Sequence, residues 1–130
     1  MFAVAADREG NAYTASNDGT VRKVDADGNQ VWSFSGHSGA VRAVAVDLEG
    51  NVYSGGDDNT VRKIDSGGTE VWSFTGHTDS VYGVTVDLNY GNVFSSGLDN
   101  TVRKIDPDGN EVWSFTGHTS SVRSVATGVG

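Results

Sequence analysis

The sequence predicts an all-β chain made of repeated four-stranded antiparallel sheets, and three observations carry that prediction. One stretch is written three times: Val31-Trp32-Ser33-Phe34-Ser35-Gly36-His37, Val71-Trp72-Ser73-Phe74-Thr75-Gly76-His77 and Val112-Trp113-Ser114-Phe115-Thr116-Gly117-His118. From His37 to His77 is 40 residues and from His77 to His118 is 41, and a period of ~40–45 residues is that of a propeller blade, one four-stranded sheet per repeat. Within each period, short β-branched runs alternate with Gly, Asn and Asp clusters every ~8–12 residues, the spacing of hairpins. No run shows a helical stripe, and 18 glycines against one proline suit many tight turns.

The middle period shows the plan. Val41 to Val46 is apolar and β-branched, and Leu48-Glu49-Gly50-Asn51 turns it. Val52 to Gly55 is a second strand, ended by Asp57-Asp58-Asn59. Thr60 to Asp65 is a third, turned by Gly67-Gly68, and Glu70 to Thr75 is the fourth. The third period carries one extra residue in the turn Asp87 to Asn92, where an insertion costs little. The expected division is blade 1 over about 1–35, blade 2 over about 38–75 and blade 3 over about 78–116. An extra inner strand at 119–127 is left over, expected to complete a neighbouring chain's blade.

Composition narrows the function classes. A net charge of −8 weighs against nucleic acid, which needs a concentrated positive surface. No run of ~20 apolar residues is present to span a membrane, and the start lacks the basic region of a signal peptide, so a cytoplasmic location is expected. Without cysteine there is no disulfide framework and no thiolate site.

Gly-His before the first strand, the turn Ser54 to Thr60 and the Val-Arg-x-x-Asp that closes the third strand resemble the WD-repeat propeller family over essentially the whole chain. The resemblance implies a hydrogen-bonded network in which His37 meets Asp58 and Ser54, and His77 meets Asp99 and Ser95. The family's tryptophan in this network is replaced by Val24, Ile64 and Ile105. Gly50-Asn51-Val52-Tyr53 and Glu70-Val71-Trp72-Ser73-Phe74 resemble a second family, the quinoprotein-type propellers, and either family implies a propeller blade.

A blade is apolar on both faces, and three blades fall below the ~4–8 that close a ring. The chain is therefore expected to assemble with itself, two copies giving six blades and three giving nine, with the dimer favoured. Asp18 has no upstream histidine and His118 no downstream aspartate, so His118 is expected beside Asp18 and Thr14 of a neighbouring copy. Residues 1–6 and 121–126 compete for one inner-strand position, and the tail is expected to win because it is longer and carries Val122 and Val125.

No catalytic, metal or cofactor site is expected. The three histidines fall one per blade, too dispersed to share a metal, and Asp25 to Asn29 and Asp106 to Glu111 place glycine fourth, unlike a calcium loop. Trp32, Phe34, Trp72, Phe74, Trp113 and Phe115 read as blade core, each Trp–Phe pair on one face of its strand. The rows Arg22-Lys23, Arg62-Lys63 and Arg103-Lys104 read as solvated or ion-paired side chains. In WD-repeat domains partners often touch residues that start the first strand and the residue before the turn Asp, which here implies a face of Arg42, Tyr82, Arg123, Asn17, Asp57 and Leu98. The expected function is a non-enzymatic scaffold binding a protein or peptide. Two alternatives stand beside it: a freshly amplified or engineered self-assembling fragment without ligand, and a quinoprotein-type enzyme.

Overall fold

A computed structural model describes residues 3–120 and 122. Among the described residues twelve strands form three sheets, each from consecutive strands in simple up-and-down order. The first sheet holds β1 (Ala3–Ala6), β2 (Ala12–Ala15), β3 (Val21–Val24) and β4 (Gln30–Phe34). The second holds β5 (Val41–Val46), β6 (Val52–Gly56), β7 (Val61–Ile64) and β8 (Glu70–Phe74). The third holds β9 (Val81–Val86), β10 (Val93–Gly97), β11 (Val102–Ile105) and β12 (Glu111–Phe115). All neighbours are antiparallel. The chain is an all-β propeller segment of three blades. No helix among the described residues is long and apolar enough to cross a membrane.

Each outer hairpin carries the same irregularity. Lys23 pairs with Trp32 but Val24 with Gln30, and the shift recurs at Lys63/Ile64 and Lys104/Ile105. The extra residue is Val31, Val71 or Val112, and a bulged residue leaves the ladder. These valines are about half exposed, although a strand pattern alone would class them with the core.

The core lies between sheets. Tyr13, Ala15 and Val21 of the first sheet pack against Val41, Val52 and Ile64 of the second, with Trp32 and Phe34 alongside. Ala43, Tyr53, Val61 and Phe74 of the second pack against Val81, Val84, Val86, Val93 and Ile105 of the third, with Trp72 alongside. Each sheet therefore buries one face against each neighbour, and burial of such apolar area at ~25 cal/mol per Å2 is the main stabilising term.

One device welds both junctions. The Trp32 indole crosses to the second sheet and its Nε1 donates to the Ser66 carbonyl at 3.1 Å. Trp72 does the same to Pro107 of the third sheet at 3.0 Å. The ring lies over the glycine two residues on: a Cβ on Gly68 would meet Trp32 at 2.9 Å, and one on Gly109 would meet Trp72 at 2.8 Å. Those glycines sit at φ of 90° and 91°, so the same residue satisfies the turn's left-handed backbone and the indole's close approach.

Ala3–Ala6 pairs with Ala12–Ala15 and holds the inner position of the first sheet in the single chain. The tail expected to compete for that position in a neighbouring copy lies, apart from Val122, outside the described residues. Val122 N donates to Gly97 O at 3.0 Å, the bond that Val41 N makes to Ser16 O two junctions earlier. The chain thus leaves the third blade along the path by which β5 leaves the first.

Candidate functional site

The repeated Phe-x-Gly-His segment delivers each histidine to its blade. A Cβ on Gly36 would stand 2.3 Å from the Phe34 ring, with the same crowding at Gly76 and Gly117. Glycine lets the phenyl fold back edge-on to the imidazole, with ring centres 6.3 Å apart for Phe34–His37, 6.2 Å for Phe74–His77 and 5.5 Å for Phe115–His118.

In the second blade His37 Nδ1 lies 3.0 Å from Asp58 Oδ2 and its Nε2 2.7 Å from Ser54 Oγ. In the third, His77 Nδ1 lies 2.9 Å from Asp99 Oδ2 and Nε2 2.7 Å from Ser95 Oγ. A carboxylate only accepts, so Nδ1 carries the proton and Nε2 accepts from the serine hydroxyl. Thr60 and Thr101 hydroxyls donate to the same aspartates at 2.7 and 2.6 Å, and the Ser38 and Thr78 backbone N–H groups donate at 3.1 and 3.0 Å. Arg62 and Arg103 cover the outer side, each donating from its Nε to the threonine oxygen and from its terminal nitrogen to Glu70 or Glu111 at 2.8 Å. The WD-repeat resemblance supplied the His–Asp–Ser part. The ion pairing of Arg62 and Arg103 was expected in kind, but their place over the network and the roles of Thr60 and Thr101 were missed, although a threonine two residues after each turn Asp and an arginine four after it recur in every period.

The first blade has the turn without the histidine. Asp18 accepts from Thr20 Oγ1 at 2.6 Å and lies 3.6 Å from Arg22, yet its side chain is 55% exposed where Asp58 is 5% and Asp99 3%. Thr14 stands at the Ser54 position, half-buried. His118 is exposed.

Electrostatics follow burial. Desolvation raises the Asp58 and Asp99 carboxyls, but hydrogen bonds from threonine, histidine and backbone N–H groups outweigh it and hold both below the ordinary carboxylate range. Burial pushes the His77 imidazole below its usual value, with Asp99 opposing only in part. Unfolded His77 therefore takes up a proton near pH 6.5 that the folded blade resists. That contribution to stability is complete above the unfolded value and declines as pH falls through it. Asp58 and Asp99 add a further loss below about pH 4, as pH falls toward their depressed folded values. Urea titrations from pH 8 to 5 are expected to show stability falling with acid, at up to about 1.4 kcal/mol per pH unit for the one proton. A flat or rising profile contradicts the buried neutral imidazole.

A second lock, also missed, sits at the inner turns. Tyr13 and Tyr53 hydroxyls donate to Asp7 and Asp47 at 2.7 and 2.8 Å, and Asn11 and Asn51 add side-chain bonds. Burial tends to raise Asp7, but the bonds from Asn11 and Tyr13 bring it down to about 2. Phe94 replaces the tyrosine in the third blade.

Of the expected partner face, the structure brings together Arg42, Asp57 and Tyr82. The guanidinium donates twice to Asp57, at 3.0 and 2.8 Å, and lies 5.2 Å from the centre of the Tyr82 ring on the next blade. Asn17 is exposed and Leu98 half-buried, and neither joins that cluster by a described side-chain bond; Arg123 lies outside the described residues. Lys23, Lys63 and Lys104 lie over the rings of Tyr13, Tyr53 and Phe94 at 5.7–5.9 Å. Among the described residues no three His, Asp or Glu side chains converge as a metal-ligand set.

Comparison with solved structures places this geometry in a fold. A structure of U3-55K and the crystal structure of the RRP9 WD40 repeats each match with a TM-score of 0.88 at 19% identity, over 93% of this chain. The chain spans 40% of the length of either. A search of curated proteins finds no match. The family described as outer membrane protein assembly factor BamB, a PQQ-type repeat family, matches residues 17–129. The WD-like histidine turns and the quinoprotein-like outer strands thus meet in one blade, and the chain belongs to that BamB family.

Proposed function

We propose that this chain is a non-enzymatic propeller scaffold, closed into a ring by a second copy of itself, that holds a protein or peptide on the face around Arg42. The observation that carries the reading is the Arg42–Asp57–Tyr82 cluster. Arginine and tyrosine dominate binding hot spots, and here the ion pair and the ring fix the guanidinium before any partner arrives, which lowers the ordering cost of binding. The cluster also bridges two blades, so it depends on the propeller's rigidity. A family described as an assembly factor is consistent with such a role.

The test is selection of peptides from a display library on the unmodified chain. Arg42→Ala, Tyr82→Ala and Arg123→Ala together are expected to weaken the selected peptide at least about 30-fold, the effect of losing a ~2 kcal/mol hot spot, with mass in solution unchanged. Selected peptides that bind the triple variant equally well contradict the face. A chain that selects no peptide at all favours the ligand-free self-assembling fragment, for which the near-identical repeats speak.

A further inference from the structure

Each internal junction joins an outer-strand tryptophan and a following histidine to a turn glycine and a turn aspartate of the next blade. The two outer faces hold the unmatched halves. On the third blade Trp113 is 42% and Phe115 49% exposed, where Phe74 is 8%. With Val102 and Ser114 they line an open apolar depression of about 480 Å3. On the first blade the turn Asp25-Ala26-Asp27-Gly28 repeats the landing turn of the internal junctions, and Gly28 keeps its φ of 87°. A Cβ there would meet nothing within 4 Å, whereas Gly68 and Gly109 each lie under an indole. Beside it the Asp18–Thr20 turn is formed, with the aspartate in solvent.

We propose that the occupant of both faces is a second copy of this chain, joined head to tail. The Trp113 ring seats on Gly28 of the next copy and its Nε1 donates to the Ala26 carbonyl, as Trp32 and Trp72 do to Ser66 and Pro107. His118 enters the Asp18–Thr20–Thr14 turn, as His37 and His77 enter theirs. The partner is argued from continuity: the contact made twice inside the chain is offered a third time, and each face carries the half that the other lacks. The junction rests on the assembly named above and supplies its atoms. Two such junctions close a six-bladed dimer, since a head-to-tail contact must close or grow.

The experiment compares the unmodified chain with Gly28→Asn, Trp113→Ala and His118→Ala by light scattering, with circular dichroism to follow folding. Asparagine tolerates a left-handed backbone, and the space above Gly28 is open in the single chain, so Gly28→Asn folds but blocks the incoming indole. The unmodified chain is expected at twice the mass of one copy. Gly28→Asn and Trp113→Ala are expected to weaken the dimer at least about 100-fold, because each change strikes both junctions. His118→Ala is expected to weaken it to a smaller extent. An unmodified chain at single-copy mass overturns the proposal, as does a folded Gly28→Asn or Trp113→Ala that stays dimeric. Peptide binding by the same samples separates the outcomes: retained binding with failed assembly leaves the Arg42 face standing and removes the junction together with the ring it closes.

Discussion

Replacing His77 with alanine is expected to destabilise the chain by about 3–5 kcal/mol, because the buried Asp99 carboxylate loses a charge-assisted hydrogen bond and Ser95 loses its acceptor. Asp99 is 3% exposed and ionised, and without the imidazole its Oδ2 keeps the Thr78 N–H and a distant Arg103. Ser95, fully buried, loses the acceptor for its hydroxyl, and an unmet buried donor adds about 1–3 kcal/mol to a loss of this kind. Total folding stabilities are ~5–15 kcal/mol, so the urea midpoint falls far or the third blade melts. His118→Ala supplies the contrast. Its imidazole is exposed in the single chain, and folding of the isolated copy moves by less than about 0.5 kcal/mol. Equal losses at the two positions contradict the buried network.

The second large effect is Gly109→Asn set against the same change at Gly28. The two glycines share a turn and a left-handed φ, 91° and 87°, so backbone strain is equal in both variants. Only the neighbour differs. A Cβ at Gly109 meets the Trp72 ring at 2.8 and 2.9 Å, and the indole must tilt away, breaking its bond to the Pro107 carbonyl. Overpacking of ~1–3 kcal/mol and a lost hydrogen bond of ~1 kcal/mol give an expected cost of about 2–4 kcal/mol. Gly28→Asn is expected to cost only the left-handed strain common to both variants, about 1 kcal/mol, when both are compared by urea melts of dilute, separated copies. Equal costs contradict the indole-on-glycine junction.

What the sequence made legible was whatever it repeats in kind. The 40-residue period, the hairpin turns and the blade count follow from residue types that recur at fixed spacing, and they needed no packing detail. Placing His37 and His77 against Asp58 and Asp99 rested on the WD-repeat resemblance, since 21 and 22 residues separate the pairs and no local rule joins them. The indole bonds were illegible for the same reason. Trp32 reaches Ser66 and Trp72 reaches Pro107 across sheets, 34 and 35 residues on, and the acceptor is a backbone carbonyl that no side chain marks. The bulge that turns Val31, Val71 and Val112 outward arises from the pairing of two strands, so alternation along one strand does not show it. Thr60 and Arg62 were visible as repeats, but an exposed-looking Thr-Val-Arg reads as an ordinary strand until the buried carboxylate beneath it is known.

Each blade needs a neighbour on both sides, and in the proposed assembly the chain's two outer faces supply one another. Sedimentation velocity of the unmodified chain over a wide concentration range tests that most directly. The account predicts one species at twice the 13.6 kDa of a single chain, dissociating only at the lowest concentrations. A folded species at 13.6 kDa throughout the range contradicts it.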